Sequence, residues 1–130
     1  MLAKVAFVSR ATPLATVPLS GIAPQLMMMA RHQGAFEAFA TQARAELGNA
    51  LLDVRLFGSV ARGEATATSD LDIFALVRDR SIEGQLHDIA FEVELEYELP
   101  VSLIIRTPQE YAAMRETRLS QAIEEGAHVV

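Results

Sequence analysis

Two short stretches carry the residue types that could do chemistry: Gly58-Ser59, followed by Arg62, and Asp70-Leu71-Asp72. An apolar run ends at Gly58-Ser59. Backbone N–H groups at such a turn into a helix, with a Ser hydroxyl beside them, make a cradle for phosphate. Glycine lets a phosphate approach the backbone closely, and Arg62 adds a cation a turn later. After ten intervening residues come Asp70 and Asp72. On a strand, positions two apart share a face, so both carboxylates project together from one end of a sheet. Such a pair repels and is costly to remove from water unless a cation lies between the two. Hard oxygen ligands beside a phosphate cradle point to Mg²⁺ bound with a nucleoside triphosphate, the equipment of an in-line displacement at phosphorus. A chance match to Gly-Ser, ten residues, Asp-x-Asp in a chain of this length is on the order of one in a thousand.

The elements that must position these residues follow from the apolar pattern. LLDVRLF, Leu51 to Phe57, reads as a buried strand, and Ser59 as the cap of a short helix through Val60-Ala61-Arg62 closed by Gly63. Glu64 to Ser69 is a polar loop, and Leu71 to Val77 is a nearly continuous apolar run, as in a strand buried on both faces. Upstream, Phe36, Phe39, Ala40, Ala43 and Leu47 fall at helical spacing, with Gly48 placed to stop the helix. Downstream, Ser81 to Tyr97 is ambiguous: Leu86, Ile89, Ala90, Val93 and Tyr97 fit one helical face, yet Phe91 to Leu99 alternates strictly, a strand signal. Length, and Ser81 as a capping residue, favour a helix to about Glu96. A third strand follows at Val101 to Ile105, Pro108 opens a helix, and a last helix runs from Arg118 to Glu125, closed by Gly126. This order indicates an α/β (α+β) sandwich, a small sheet with helices packed on one face.

The 130 residues suffice for one domain with a sizeable core. Cysteine is absent, which excludes a disulfide scaffold, a thiolate zinc site and a cysteine nucleophile. With no Trp and 6% aromatic residues, an aromatic platform for single-stranded nucleic acid is not expected. A net charge of −6 argues against direct nucleic-acid binding. That charge is uneven. Residues 1 to 36 hold Lys4, Arg10 and Arg31 and no acid, so the rest sets eight basic residues against all 17 acids. Six acids and no Lys or Arg lie between Glu83 and Glu98, a solvated face or a docking surface for a basic partner.

Gly58, Ser59, Ala61, Arg62, Gly63, Ser69, Asp70, Leu71 and Asp72 together resemble the signature of the MNT-type minimal nucleotidyltransferases of the DNA polymerase β superfamily. The resemblance covers residues 30–130 and implies a palm-like mixed sheet. It also implies that Gly58, Ser59, Arg62 and Ser69 bind the nucleotide phosphates, and that Asp70 and Asp72 are catalytic and hold Mg²⁺. Small stand-alone members of that family are often antitoxins paired with a HEPN-type toxin, some of which they modify with AMP. The expected activity is therefore transfer of AMP from ATP to a hydroxyl of a protein partner, in the cytoplasm and in a hetero-oligomer with that partner. Two alternatives stand beside it: an inactive nucleotidyltransferase-like module that neutralises a partner toxin by binding, and an aminoglycoside-type small-molecule nucleotidyltransferase. The family's third carboxylate usually lies on the following strand. Ser102 occupies that position here, and a Ser is neither a general base nor a charged ligand at neutral pH. A pseudoenzyme, a substitute acid such as Glu94, Glu96 or Glu98, and a site working with two carboxylates are all compatible with the residues.

Residues 1–29 differ from the remainder: three of the five prolines and three of the five methionines lie there. They read either as a loosely packed arm with a short strand at Lys4 to Ser9, or as sequence upstream of a translation start at Met27, Met28 or Met29. No run reaches the roughly 18 apolar residues of a membrane span. His87-Asp88 reads as a polar contact at the surface rather than a dyad, and His32 and His128 show no metal-ligand spacing.

Overall fold

A computed structural model describes residues 19–66 and 68–128 of the chain. Helix α1 (Leu19–Leu47) leads through a 3-10 turn (Gly48–Ala50) into strand β1 (Leu51–Phe57). The short helix α2 (Gly58–Ala61) and a loop precede β2 (Leu71–Val77). A second 3-10 turn (Arg80–Ile82) opens helix α3 (Glu83–Tyr97), followed by β3 (Val101–Arg106), α4 (Pro108–Ala113), α5 (Arg118–Glu124) and the two-residue β4 (Ala127–His128). The expected strand at Lys4 to Ser9 lies outside the described residues. Residues 19–29, expected to belong to an arm, continue the same helix that carries Phe36 and Phe39.

The sheet has the order β3-β2-β1-β4. β1 runs antiparallel to β2 and β4, while β2 and β3 are parallel, so the sheet is mixed. Strand alternation sends two apolar sets to opposite faces. Val54, Leu56, Leu71, Ile73, Ala75, Val77 and Ile105 join Phe36, Phe39, Ala40 and Ala43 of α1 and Leu86, Ile89 and Val93 of α3 in the main core. The two long helices thus lie on one face, as expected. Phe57, Phe74 and Ile123 form a second cluster on the other face, with Ile104, Tyr111 and Met114 packed against it. The rings of Phe74 and Tyr111 are 5.2 Å apart. The short helices α4 and α5 therefore cover part of the face that α1 and α3 leave open.

Local chemistry explains the element ends. Gly48 adopts φ +52 after α1, the left-handed conformation that stops a helix. α4 begins in a capping box: Thr107 accepts the Glu110 N–H, and the Glu110 side chain accepts the Thr107 N–H. The sequence carried this signal, Thr-Pro-Gln-Glu, beside Pro108. Two expected caps are corrected. Phe57, not Ser59, occupies the cap position of α2 and makes no side-chain cap bond, because the helix begins at Gly58, two residues earlier than expected. Asp79, not Ser81, caps the turn into α3; its carboxylate accepts the Ser81 N–H at 2.8 Å.

Candidate active site

The site forms where three strand ends meet. Because β1 and β2 are antiparallel, Phe57 at the end of β1 pairs with Asp72 near the start of β2. Because β2 and β3 are parallel, Asp72 also lies beside Ser102. Gly58, directly after β1, takes φ +79. A Cβ built on it would stand 3.0 Å from Cγ and 3.2 Å from Cβ of Asp72, and nearer still to its Oδ2. Any larger residue at position 58 would displace the Asp72 carboxylate. The Gly-Ser and Asp-x-Asp stretches are thus one packed unit, which the intervening loop brings together.

That loop is held by its own hydrogen bonds. The Glu64 N–H donates to the Ser59 carbonyl at 2.8 Å, and the Ser69 N–H to the Thr66 carbonyl at 3.1 Å. The Ser69 hydroxyl accepts the Thr66 N–H at 2.8 Å, so this side chain shapes the turn that delivers Asp70. The Leu71 N–H donates to the Pro100 carbonyl at 2.8 Å, locking the start of β2 to the approach of β3. His32, buried on α1, was not singled out for any role in the sequence, yet it is a positioning residue here. Its Nε2 lies 3.2 Å from the Ser69 carbonyl and its Nδ1 2.8 Å from the Met28 carbonyl. Both neighbours are carbonyl acceptors, so the tautomer sets which nitrogen donates, and the ring stands between α1 and the residue before Asp70.

Asp70 is exposed and precedes β2, whereas Asp72 is half-buried within it. Burial raises the Asp72 pKa above the ordinary carboxylate value; the neighbouring Asp70 charge raises it further, and the Arg62 guanidinium pulls it back. Arg62 is exposed and also pairs with Glu64 at 2.9 Å. The N–H groups of Gly58, Ser59 and Val60 open a four-residue helix, where none has a carbonyl four residues upstream within the helix. Helix-end N–H groups, a guanidinium and two carboxylates therefore lie at one sheet end. Among the described residues, no group of three or more His, Asp or Glu could hold a metal ion. Glu94, one of the acids that could substitute, bonds the start of β3: its Oε2 accepts the Val101 N–H at 2.8 Å. Glu96 and Glu98 are exposed at the C-terminal end of α3, the helix packed on the sheet face opposite the one that carries Asp72 and Ser102. A cavity of about 440 Å³ between β2, α4 and α5, lined by Leu76, Tyr111 and Ser120 among others, includes none of the signature residues.

The two carboxylates fit a Mg²⁺ ion on the chemistry of the donor set. Mg²⁺ uses one or two protein carboxylates and completes its shell with phosphate oxygens and water; burial first and the Asp70 charge second raise the Asp72 pKa, and a cation there would offset both.

The chain belongs to the nucleotidyltransferase domain family, whose model matches residues 40–128. Its fold is that of the small nucleotidyltransferases. It is similar to the structure of a minimal nucleotidyltransferase at 23% identity and TM-score 0.53, over 79% of this chain and 92% of that one. It is similar at 21% identity and TM-score 0.51 to a mutant MntA-HpeT toxin–antitoxin, over 72% of this chain and 70% of that one. A toxin–antitoxin with AMP-PNP is similar at 20% identity and TM-score 0.51, with the same two coverages. No curated protein matches the chain. Among the described residues, no helix is long and apolar enough to cross a membrane.

Proposed function

We propose that this nucleotidyltransferase domain moves AMP from ATP onto a hydroxyl of a protein partner, acting as the antitoxin of a HEPN-type toxin in the cytoplasm. The observation that carries the transfer chemistry is the Asp70/Asp72 pair packed against the Gly58 turn. Support for a macromolecular acceptor comes from the exposure of Asp70 and Arg62 at an open sheet end. The fold shared with toxin–antitoxin proteins, one crystallised with AMP-PNP, supports the partner and the nucleotide.

In this reading the first N–H groups of α2 and the Ser59 hydroxyl bind phosphate oxygens, and Arg62 neutralises part of the triphosphate charge. The turn closed by Ser69 sets Asp70 beside them. Asp70 and Asp72 would hold Mg²⁺, which would supply positive charge to offset the negative charge on the reacting phosphate. The acceptor oxygen bonds to the α-phosphorus, the bond to the bridging oxygen breaks, and pyrophosphate leaves. Ser102 beside Asp72 has no carboxylate to take the acceptor proton. That arrangement favours an acceptor that ionises readily, and a tyrosine hydroxyl, with a pKa of about 10, loses its proton far more easily than an aliphatic alcohol.

Incubation with labelled ATP, Mg²⁺ and the protein encoded by the adjacent gene tests this. Label on the partner, lost with Asp70→Ala and Asp72→Ala, is the expected result; no label in any combination removes the proposal. Ser102 favours one second reading, a module that neutralises its partner by binding alone. In that case a stable complex forms with no label, and Asp72→Ala leaves it intact.

A further inference from the structure

The alternating run from Phe91 to Leu99 contains two apolar residues that the packing of α3 does not use. In α3, Leu86, Ile89, Ala90 and Val93 are buried and account for its packing against α1 and the sheet. Phe91 and Leu95 are the apolar residues left over. They stand one turn apart on the outer face of the helix, 59% and 64% exposed. Isolated apolar side chains at a surface need no explanation, but a paired Phe and Leu at the crest of a helix form a patch. Acids rim it. Helical geometry places Asp88 and Glu92 along one flank, and the exposed Glu98 follows at the C-terminal end of the helix. On that flank Glu92 accepts a hydrogen bond from Gln42 of α1 at 3.0 Å. No Lys or Arg lies between residues 83 and 98.

We infer that this face of α3 is the docking surface for a protein partner presenting an apolar groove edged by Lys and Arg. The charge selects among possible occupants. A second copy related by a two-fold axis would set acids against acids across the patch. Nucleic acid and anionic lipid surfaces are repelled by the same rim. A basic-edged apolar groove instead receives the Phe91/Leu95 pair as a central anchor and the acids as a complementary border. Docking here leaves the Asp70/Asp72 end of the sheet open, because α3 packs on the sheet face opposite that of Asp72. The inference rests on the proposed function for the identity of that partner.

The test uses the full chain and the protein encoded by the adjacent gene, with affinity measured by calorimetry and AMP transfer measured in parallel. Phe91→Ser with Leu95→Ser is expected to weaken the complex by about tenfold or more. Asp88→Lys with Glu92→Lys should weaken it as well, and higher ionic strength should weaken the wild-type complex. The thermal shift caused by ATP and Mg²⁺ should stay as in the wild type, since these exposed residues lie away from the site. Unchanged affinity in both double variants overturns the docking surface while leaving the proposed function standing. A wild-type chain that neither binds nor labels that protein removes both. A wild-type dimer converted to monomer by the Phe91/Leu95 change assigns the face to a second copy and overturns the inference.

Discussion

Gly58 and Asp72 act as one unit, and two predictions belong at this scale. Gly58→Ala forces a side chain into left-handed backbone, at about 1–2 kcal/mol, and drives its methyl into the Asp72 carboxylate. Nucleotidyl transfer should fall at least about a hundredfold, as expected for a displaced catalytic group. In a double-mutant cycle on thermal unfolding, Asp72→Ala should reduce the stability cost of Gly58→Ala, because it removes the obstructing carboxylate. Additive costs would show that the two side chains do not collide. The second prediction concerns pH. Burial and the Asp70 charge raise the Asp72 pKa in the folded protein, against a smaller opposing effect of Arg62. Between the ordinary and the raised value the folded chain holds more protons than the unfolded one. Stability is therefore greatest below the ordinary carboxylate pKa and is lost as pH rises through the raised one. Asp72→Asn should flatten that decline and melt above the wild type at neutral pH without metal, while losing transfer by about a hundredfold or more. Added Mg²⁺ should stabilise the wild type and not the variant.

At the scale of elements, register decides what the site contains. The parallel pairing of β2 with β3 sets Ser102 directly beside Asp72. Ser102→Asp is accordingly expected to raise Mg²⁺-dependent transfer by about tenfold or more, by adding a group that can accept the acceptor proton. A rate no higher than wild type would mean that proton removal does not limit the reaction. α3 ends with Glu98 at φ 54, its N–H donating to the Glu94 carbonyl at 2.9 Å. Arg31 of α1 donates to the Tyr97 carbonyl at 2.9 Å and also to that of Glu98. These bonds hold a non-glycine residue in left-handed backbone. Glu98→Gly should therefore stabilise the chain by up to about 1 kcal/mol, read from denaturant unfolding. Element types were legible where the signal is local. The strands Leu51–Phe57 and Leu71–Val77 stand as their apolar runs indicated, and Pro108 opens α4. The extent of α1 was not legible, because Gly21 and Pro24 read as breakers in residues 19–29, although Leu19, Ile22, Ala23 and Leu26 keep helical spacing.

The whole molecule is a sheet covered unequally. The main core joins α1 and α3 to one face, and a smaller cluster around Phe57, Phe74 and Ile123 fixes α4 and α5 to the other. Phe74 is essentially fully buried and packs beside Tyr111. Phe74→Ala should cost about 3–5 kcal/mol and loosen α4 and α5, seen as faster amide exchange there than in α1. Equal loss of protection in all helices would mean that the two layers unfold as one. The acidic excess also resolves at this scale. Some acids bond the backbone at element ends, as Glu110 does in the α4 capping box and Glu94 at the start of β3. Others are left at the crest of α3.

By itself the sequence marked the residues on which the proposed chemistry rests and the principal elements: a glycine turn, two closely spaced Asp residues, two buried strands and an acid-rich helix. Those are local properties, set by residue type and by periods of 2 and 3.6. Only the tertiary structure decided which strand ends meet, and hence that Gly58 makes room for Asp72 and that Ser102 is its neighbour. It also decided that His32 braces the approach to Asp70 and that Phe91 and Leu95 face outward. Pairing and burial depend on residues distant in the chain, and no local period encodes them.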